Sequence, residues 1–242
     1  MPSRSGKRSA GASSREDGKA ADLPRVAFVA FSSLLIARDA AFNLRDVLKT
    51  YSPLALLAVK HCERDLDLLE RNVDEQTLEA ITEVSKKEDA RALLAAAKLI
   101  SQVERIGDLI FSAAQTLSGL QPRLDAEDTA DLTEMARITE ESLATLHRGF
   151  LERDLECASG VFQSDIRLDE LKHAVFRRHL EADRQSDTSR TIRILLMVQA
   201  LERAGDHVKN LAEELFFFTQ GRSLRHANPE QRRRGLKMGS GR

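Results

Sequence analysis

Apolar residues recur at helical intervals from Val26 to Leu215, and the breaks between runs come in the same order twice. Leu99, Val103, Ile106, Ile110 and Leu117 lie three, four or seven residues apart, and so do Ile194, Val198, Leu201, Val208, Leu211 and Leu215. That spacing places each set on one face of an α-helix. Val26, Val29, Leu34 or Leu35, Phe42 and Leu48 permit a first helix with an imperfect period. Tyr51-Ser52-Pro53 breaks it, with Ser52 as N-cap and Pro53 in the first turn of a second helix running to about Asn72. A third follows over Lys87 to Ser118, and Gly119 and Pro122 end it. The series then restarts: Asp128 to Cys157 with Leu132, Met135, Ile138, Leu143, Leu146 and Phe150 inside, about Cys157 to Glu181, and Ser189 to Gln220, which Asp187-Thr-Ser caps and Gly221 closes.

Short connections make neighbouring helices antiparallel. The expected fold is all-α: two tandem antiparallel three-helix bundles, six helices related by internal duplication. The expected boundaries are a disordered basic tail over 1–22, a first repeat over 23–121, a second over 122–226, and a basic tail over 227–242.

The repeat is clearest in its charged positions. Glu-Arg-x-Gly-Asp occurs at Glu104 to Asp108 and again at Glu202 to Asp206, and Glu63-Arg-Asp-Leu66-Asp67 aligns with Asp165-Ile-Arg-Leu168-Asp169. Four residues advance a helix by about 6 Å and about 40°, so each such pair of acids shares a face. Two anions so placed repel and ask for a cation from elsewhere. Gly107 and Gly205 ask a second question, because glycine inside a helix costs about 1 kcal/mol relative to alanine. Close approach of another helix or of a bound ion would explain them. If the acidic rows of the second and third helices face each other, one repeat gathers Glu63, Asp67, Glu104 and Asp108 and the other Asp165, Asp169, Glu202 and Asp206. Carboxylates gathered in that way raise one another's pKa, a penalty that a multivalent cation removes. All-oxygen ligation suits iron, manganese or magnesium rather than thiolate-loving ions.

Composition agrees with a helical bundle. Aromatics are 5% of the 242 residues, with one Tyr, no Trp and five Pro, while 31% are charged. The net charge of −1 hides two basic tails around an acidic body. Cys62 and Cys157 have no Cys-x-x-Cys spacing, which suggests neither a disulfide framework nor a thiolate zinc site. The apolar run Val26 to Ala37 is too short to span a bilayer, which needs roughly 20 residues. Glu16, Asp17 and Asp22 argue against reading the leader before it as a signal peptide.

Catalytic patterns are missing: there is no Ser/His/Asp or Cys/His arrangement, no glycine-rich phosphate loop, and no Glu-x-x-His that starts at one of the eight acids. His207 reads as a rim residue. His173 continues the row of Asp165 and Asp169, although Arg71 stands at its counterpart; His61, His147, His179 and His226 read as surface residues, and Arg105 and Arg203 as partners of nearby acids. Phe216-Phe217-Phe218 cannot all face one core, so the cluster is either a plug at the bundle end or a partner or membrane contact. The Arg232 to Arg234 run reads as solvated charge.

The sequence Leu201-Glu-Arg-Ala-Gly-Asp-His-Val-Lys-Asn-Leu-Ala-Glu-Glu, followed by Gly221-Arg-Ser-Leu-Arg-His, resembles the closing helix and tail of the PhoU family of phosphate-specific transport accessory proteins. The resemblance extends over roughly residues 25 to 226. It implies a cytoplasmic, non-enzymatic, dimeric regulator that restrains the phosphate ABC transporter through its ATPase and, through a sensor histidine kinase, represses the phosphate-starvation response. Membrane association would then be peripheral, through partners. It also implies a multinuclear metal, iron or zinc first and manganese or magnesium next, with the eight acids as ligands. Leu109 stands where the family often has His, Ser112 where the counterpart of Asn210 falls, and Glu63 replaces Asp, so the first site is expected to be the weaker. Two rival functions remain: a carboxylate-bridged metal oxidase of bundle type, and nucleic-acid binding through the tails, against which the acidic body speaks.

Overall fold

The computed structural model describes residues 25–121, 123–181 and 187–223. The expectations for the two basic tails, Pro122, His226 and Arg232 to Arg234 lie outside the described residues. Among the described residues six helices occur in order: α1 (Arg25–Thr50), α2 (Pro53–Ile81), α3 (Lys87–Ser118), α4 (Ala126–Glu152), α5 (Glu156–Glu181) and α6 (Thr188–Gln220).

Most boundaries follow from the capping residues. The Ser52 hydroxyl accepts from the Ala55 N–H at 3.3 Å with Pro53 in the first turn, and Asp187 accepts from the Ser189 and Arg190 amides at 2.9 and 3.3 Å. Gly221, at φ +70°, donates its N–H to the Phe217 carbonyl at 2.8 Å and stops α6.

Three ends differ from expectation. α2 runs on to Ile81 rather than stopping near Asn72, because no glycine or proline intervenes and Val73 and Thr77 continue the buried stripe begun by Val59 and Leu66. α4 begins at Ala126, before the expected start at Asp128, since Asp125 accepts from the Asp128 N–H at 2.8 Å and leaves Asp128 inside the first turn. It also ends at Glu152 instead of Cys157. There Arg153 adopts a left-handed conformation, φ +56°, that closes the helix onto the Gly149 carbonyl.

The first helix explains its own imperfect period. Ala27, Ala30, Ala37, Ala40 and Ala41 are buried beside Phe31, Leu34 and Leu44, so small residues carry much of the face that large ones would otherwise mark. By length and composition α1 could cross a membrane, with a mean hydropathy of 1.4 over its most apolar window. Half of that window is buried, where α1 packs against α2, α3 and α4, while Phe28 and Phe42 are exposed.

The two three-helix units, α1–α3 and α4–α6, lie side by side through α3 against α6 and α1 against α4, and their apolar residues form one continuous core. Phe31, Phe150 and Phe218 meet at its centre, with ring centroids 4.7 to 5.9 Å apart. The Phe216 to Phe218 cluster is therefore largely core. Phe216 and Phe218 are buried, and Phe217 is half-covered by Lys98, whose Nζ stands 4.4 Å from the ring centroid. Polar bonds also join the two units: Arg45 to Glu140 at 2.5 Å, Lys98 to Glu214 at 3.2 Å, and the Gln102 amide to His207 at 2.7 Å.

Candidate cation site

Glycine sets the spacing of the acidic rows. A Cβ on Gly107 would lie 2.6 Å from Leu66 Cδ1, and a Cβ on Gly205 would lie 2.4 Å from Leu168 Cδ1. Each leucine from the second helix of a repeat thus rests on the glycine of the third. The close approach of another helix, one of the two explanations open from the sequence, accounts for both glycines. Because Glu63 and Asp67 flank Leu66, and Glu104 and Asp108 flank Gly107, this contact brings the two rows of the first repeat face to face.

Carboxylate oxygens of Glu63, Asp67 and Asp108 all lie within 4.8 Å of one another. Glu104 completes the group, one helical turn before Asp108 and close enough for the two to shift each other. Its carboxyl is pushed up to about 7 by burial first, then by the charges of Asp108 and Glu70. Burial and the neighbouring Asp67 and Asp108 charges raise Glu63, and burial together with Asp67 raises Asp108. None of these four acids forms a salt bridge with Lys or Arg among the described residues. A donor set of this kind, oxygen-only and short of positive charge, fits a hard or borderline multivalent cation.

The second repeat differs. Lys209 Nζ lies 2.8 Å from Asp165 and 3.1 Å from Asp206, and Lys172 Nζ lies 2.6 Å from Glu202. Burial opposes the charge on Lys209, but its hydrogen bonds to Asp165 and Asp206 outweigh that and raise its pKa, so it stands as an ammonium. Asp169 is exposed. The two repeats thus differ from each other: the acids of the first form no salt bridge among the described residues, while in the second Lys172 and Lys209 stand among the corresponding acids. Its donor set as it stands does not fit a metal.

The histidines sort differently from expectation. His173 is exposed, with Nδ1 2.8 Å from the Asp169 carbonyl, one turn back on its own helix, and His207 sits at the α3–α6 seam against Gln102. His147 is half-buried rather than on the surface, and burial lowers its pKa. His179 is no surface residue either: its Nε2 lies 2.8 Å from Asp128, a fully buried carboxylate that Arg178 also contacts at 2.7 Å while bridging to Glu127 and Asp131. Sequence reading missed this knot because its acids and bases lie some fifty residues apart. Arg105 and Arg203 are exposed and form no salt bridge among the described residues.

Comparison with known proteins places this architecture. The PhoU domain model matches twice, over residues 34–117 and 132–215. A phosphate-specific transport system accessory protein PhoU homologue of Burkholderia sp is 29% identical over 77% of this chain and 82% of its own length. PhoU homologue 1 of Thermotoga maritima is 26% identical over 90% of this chain and 91% of its own. In three dimensions the chain is similar to PhoU from Pseudomonas aeruginosa, at a TM-score of 0.70 and 22% identity over 86% of this chain and all of that one. It is also similar to the phosphate transport system regulatory protein PhoU from Streptococcus pneumoniae, at a TM-score of 0.72 and 18% identity over 81% and 93%. These are accessory proteins rather than enzymes, and with its duplicated domain and its paired acidic motifs this chain belongs to the PhoU family.

Proposed function

We propose that this chain is a cytoplasmic regulator of phosphate uptake that restrains a phosphate ABC transporter through its ATPase and, through a sensor histidine kinase, holds phosphate-starvation signalling off while phosphate is plentiful. The reading rests on membership in a family of phosphate transport accessory proteins and on a structure with no catalytic constellation among the described residues. It works as a dimer and meets the membrane through its partners. Glu63, Asp67, Glu104 and Asp108 hold a multivalent cation, iron or zinc in the first place and manganese or magnesium in the second. The observation that carries the metal reading is the convergence of three carboxylates within 4.8 Å without a salt-bridging lysine or arginine.

A bound cation would cancel the repulsion between α2 and α3 and tie them together. Two experiments test the proposal. Cells lacking the chain should express phosphate-starvation genes in phosphate-rich medium, and unchanged repression overturns the regulatory reading. Purified protein should carry metal that Glu63→Gln with Asp108→Asn removes, and equal metal content in that variant overturns the site.

A further inference from the structure

The two repeats can be superposed residue by residue without any appeal to overall similarity, because each has a leucine seated on a glycine. Leu66 on Gly107 corresponds to Leu168 on Gly205. In that register Glu63 matches Asp165, Asp67 matches Asp169, Glu104 matches Glu202 and Asp108 matches Asp206. The acids are equivalent, but the residues one turn beyond them are not. Three residues after the aspartate on the second helix stands Glu70 in the first repeat and Lys172 in the second; three residues after the aspartate on the third helix stands Phe111 in the first and Lys209 in the second.

Three residues is close to one helical turn, so both positions look back onto the acidic face. Lys172 and Lys209 reach it: their ammonium groups contact Glu202, Asp165 and Asp206 at 2.6 to 3.1 Å. Two of these three contacts cross between α5 and α6, so they bridge the pair of helices that a metal would otherwise bridge. The first repeat has the opposite arrangement, since the corresponding positions hold an acid, Glu70, and an uncharged ring, Phe111.

We infer that the duplication has divided the work: only the first repeat takes a cation, with Glu70 reinforcing its negative field, while in the second Lys172 and Lys209 are permanent internal counter-ions that close the equivalent position to metal. A cation entering the second repeat would have to expel two hydrogen-bonded ammonium groups and would meet their charge on arrival. The consequence is functional asymmetry. Cation supply can loosen or tighten α2 against α3, whereas α5 and α6 stay tied whatever the metal concentration. This inference rests on the metal reading proposed above and deepens it.

Equilibrium dialysis of the full chain against manganese(II), with electron paramagnetic resonance of the bound ion, tests it. Each variant is checked by circular dichroism and melting temperature. Asp165→Asn with Glu202→Gln should leave manganese affinity and stoichiometry within twofold of the parent, while Glu63→Gln with Asp108→Asn should weaken binding at least tenfold. Glu70→Lys alone should weaken binding in the first repeat. Lys172→Glu with Lys209→Phe should create a second class of bound manganese, and Lys172→Gln with Lys209→Gln gives the same test with less risk to folding. Loss of about half the metal on changing Asp165 and Glu202 overturns the division between repeats and leaves the metal reading standing. No bound manganese in the parent chain or in either lysine variant overturns both.

Discussion

Adding one methyl group to Gly107 tests whether the leucine contact sets the separation of the acidic rows. A Cβ there would stand 2.6 Å from Leu66 Cδ1, well inside contact distance, and 3.9 Å from the Glu63 Cα, which is ordinary contact. The backbone could accept an alanine, then, and the leucine could not. Leu66 is fully buried, so its displaced methyl must move among packed neighbours. Forcing extra volume into a packed site costs about 1 to 3 kcal/mol, offset by about 1 kcal/mol gained from replacing glycine within a helix. Gly107→Ala should therefore range from nearly neutral to about 2 kcal/mol destabilising by that balance. The coupling is sharper than the single value. With Leu66→Ala, which alone costs about 2 to 5 kcal/mol, the clash is gone and Gly107→Ala should become stabilising by about 1 kcal/mol. Urea unfolding of the four proteins at constant m-value gives the cycle directly, and a coupling energy of about 1 to 3 kcal/mol is expected, equal to the overpacking cost. Additive effects of the two substitutions, or a stabilised Gly107→Ala single variant, would refute the idea that leucine and glycine hold the helices at this spacing. Moving α2 outward also spreads Glu63 and Asp67 from Asp108, so manganese affinity should fall in Gly107→Ala although no carboxylate has been touched.

Phe218→Ala removes the ring that Phe31 and Phe150 share, and a cost of about 3 to 5 kcal/mol is expected. In a chain of this size that lowers the melting temperature by roughly 10 °C; a drop under about 2 °C would show that the aromatic cluster is a surface feature after all. Arg178→Met strips the buried Asp128 of one partner. Because the arginine keeps 26% of its side chain in water, the loss should sit near the lower end of the usual range, about 3 kcal/mol. Burial works to raise the Asp128 carboxyl, but its hydrogen bonds from Arg178 and His179 outweigh that and hold it below its ordinary value. A carboxylate with a depressed folded-state pKa stabilises above the unfolded-state value and loses that contribution as pH falls through the folded one. The parent protein should accordingly lose stability steeply below about pH 4, and Arg178→Met should show a flatter acid limb. Parallel acid limbs in the two proteins would rule Asp128 out as the source.

The helices could be read from the sequence wherever a stripe of large apolar residues ended at a capping side chain, as at Ser52, Asp187 and Gly221. They were misjudged where the end depended on conformation alone: nothing in the composition around Arg153 announces a left-handed residue, and Val73 and Thr77 extend α2 only because other helices lie over them. The acids of the candidate site were legible as a duplicated motif, and so was the strain implied by their spacing, since neighbouring like charges do add to the rise of one another's pKa in the first repeat.

The charge balance of the motif was harder to see. A motif that stops at the aspartate treats both repeats as equivalent, and ranking them by likeness to relatives then favours the second, whose closing helix is the better match. The proposed asymmetry ranks them the other way, because the residue one turn beyond each aspartate sets how much positive charge the four carboxylates already have, and lysine there supplies it from the chain itself. The signal was present in the sequence as Glu70 and Phe111 against Lys172 and Lys209. It became readable only once Leu66 on Gly107 and Leu168 on Gly205 had fixed the register in which those four positions are compared.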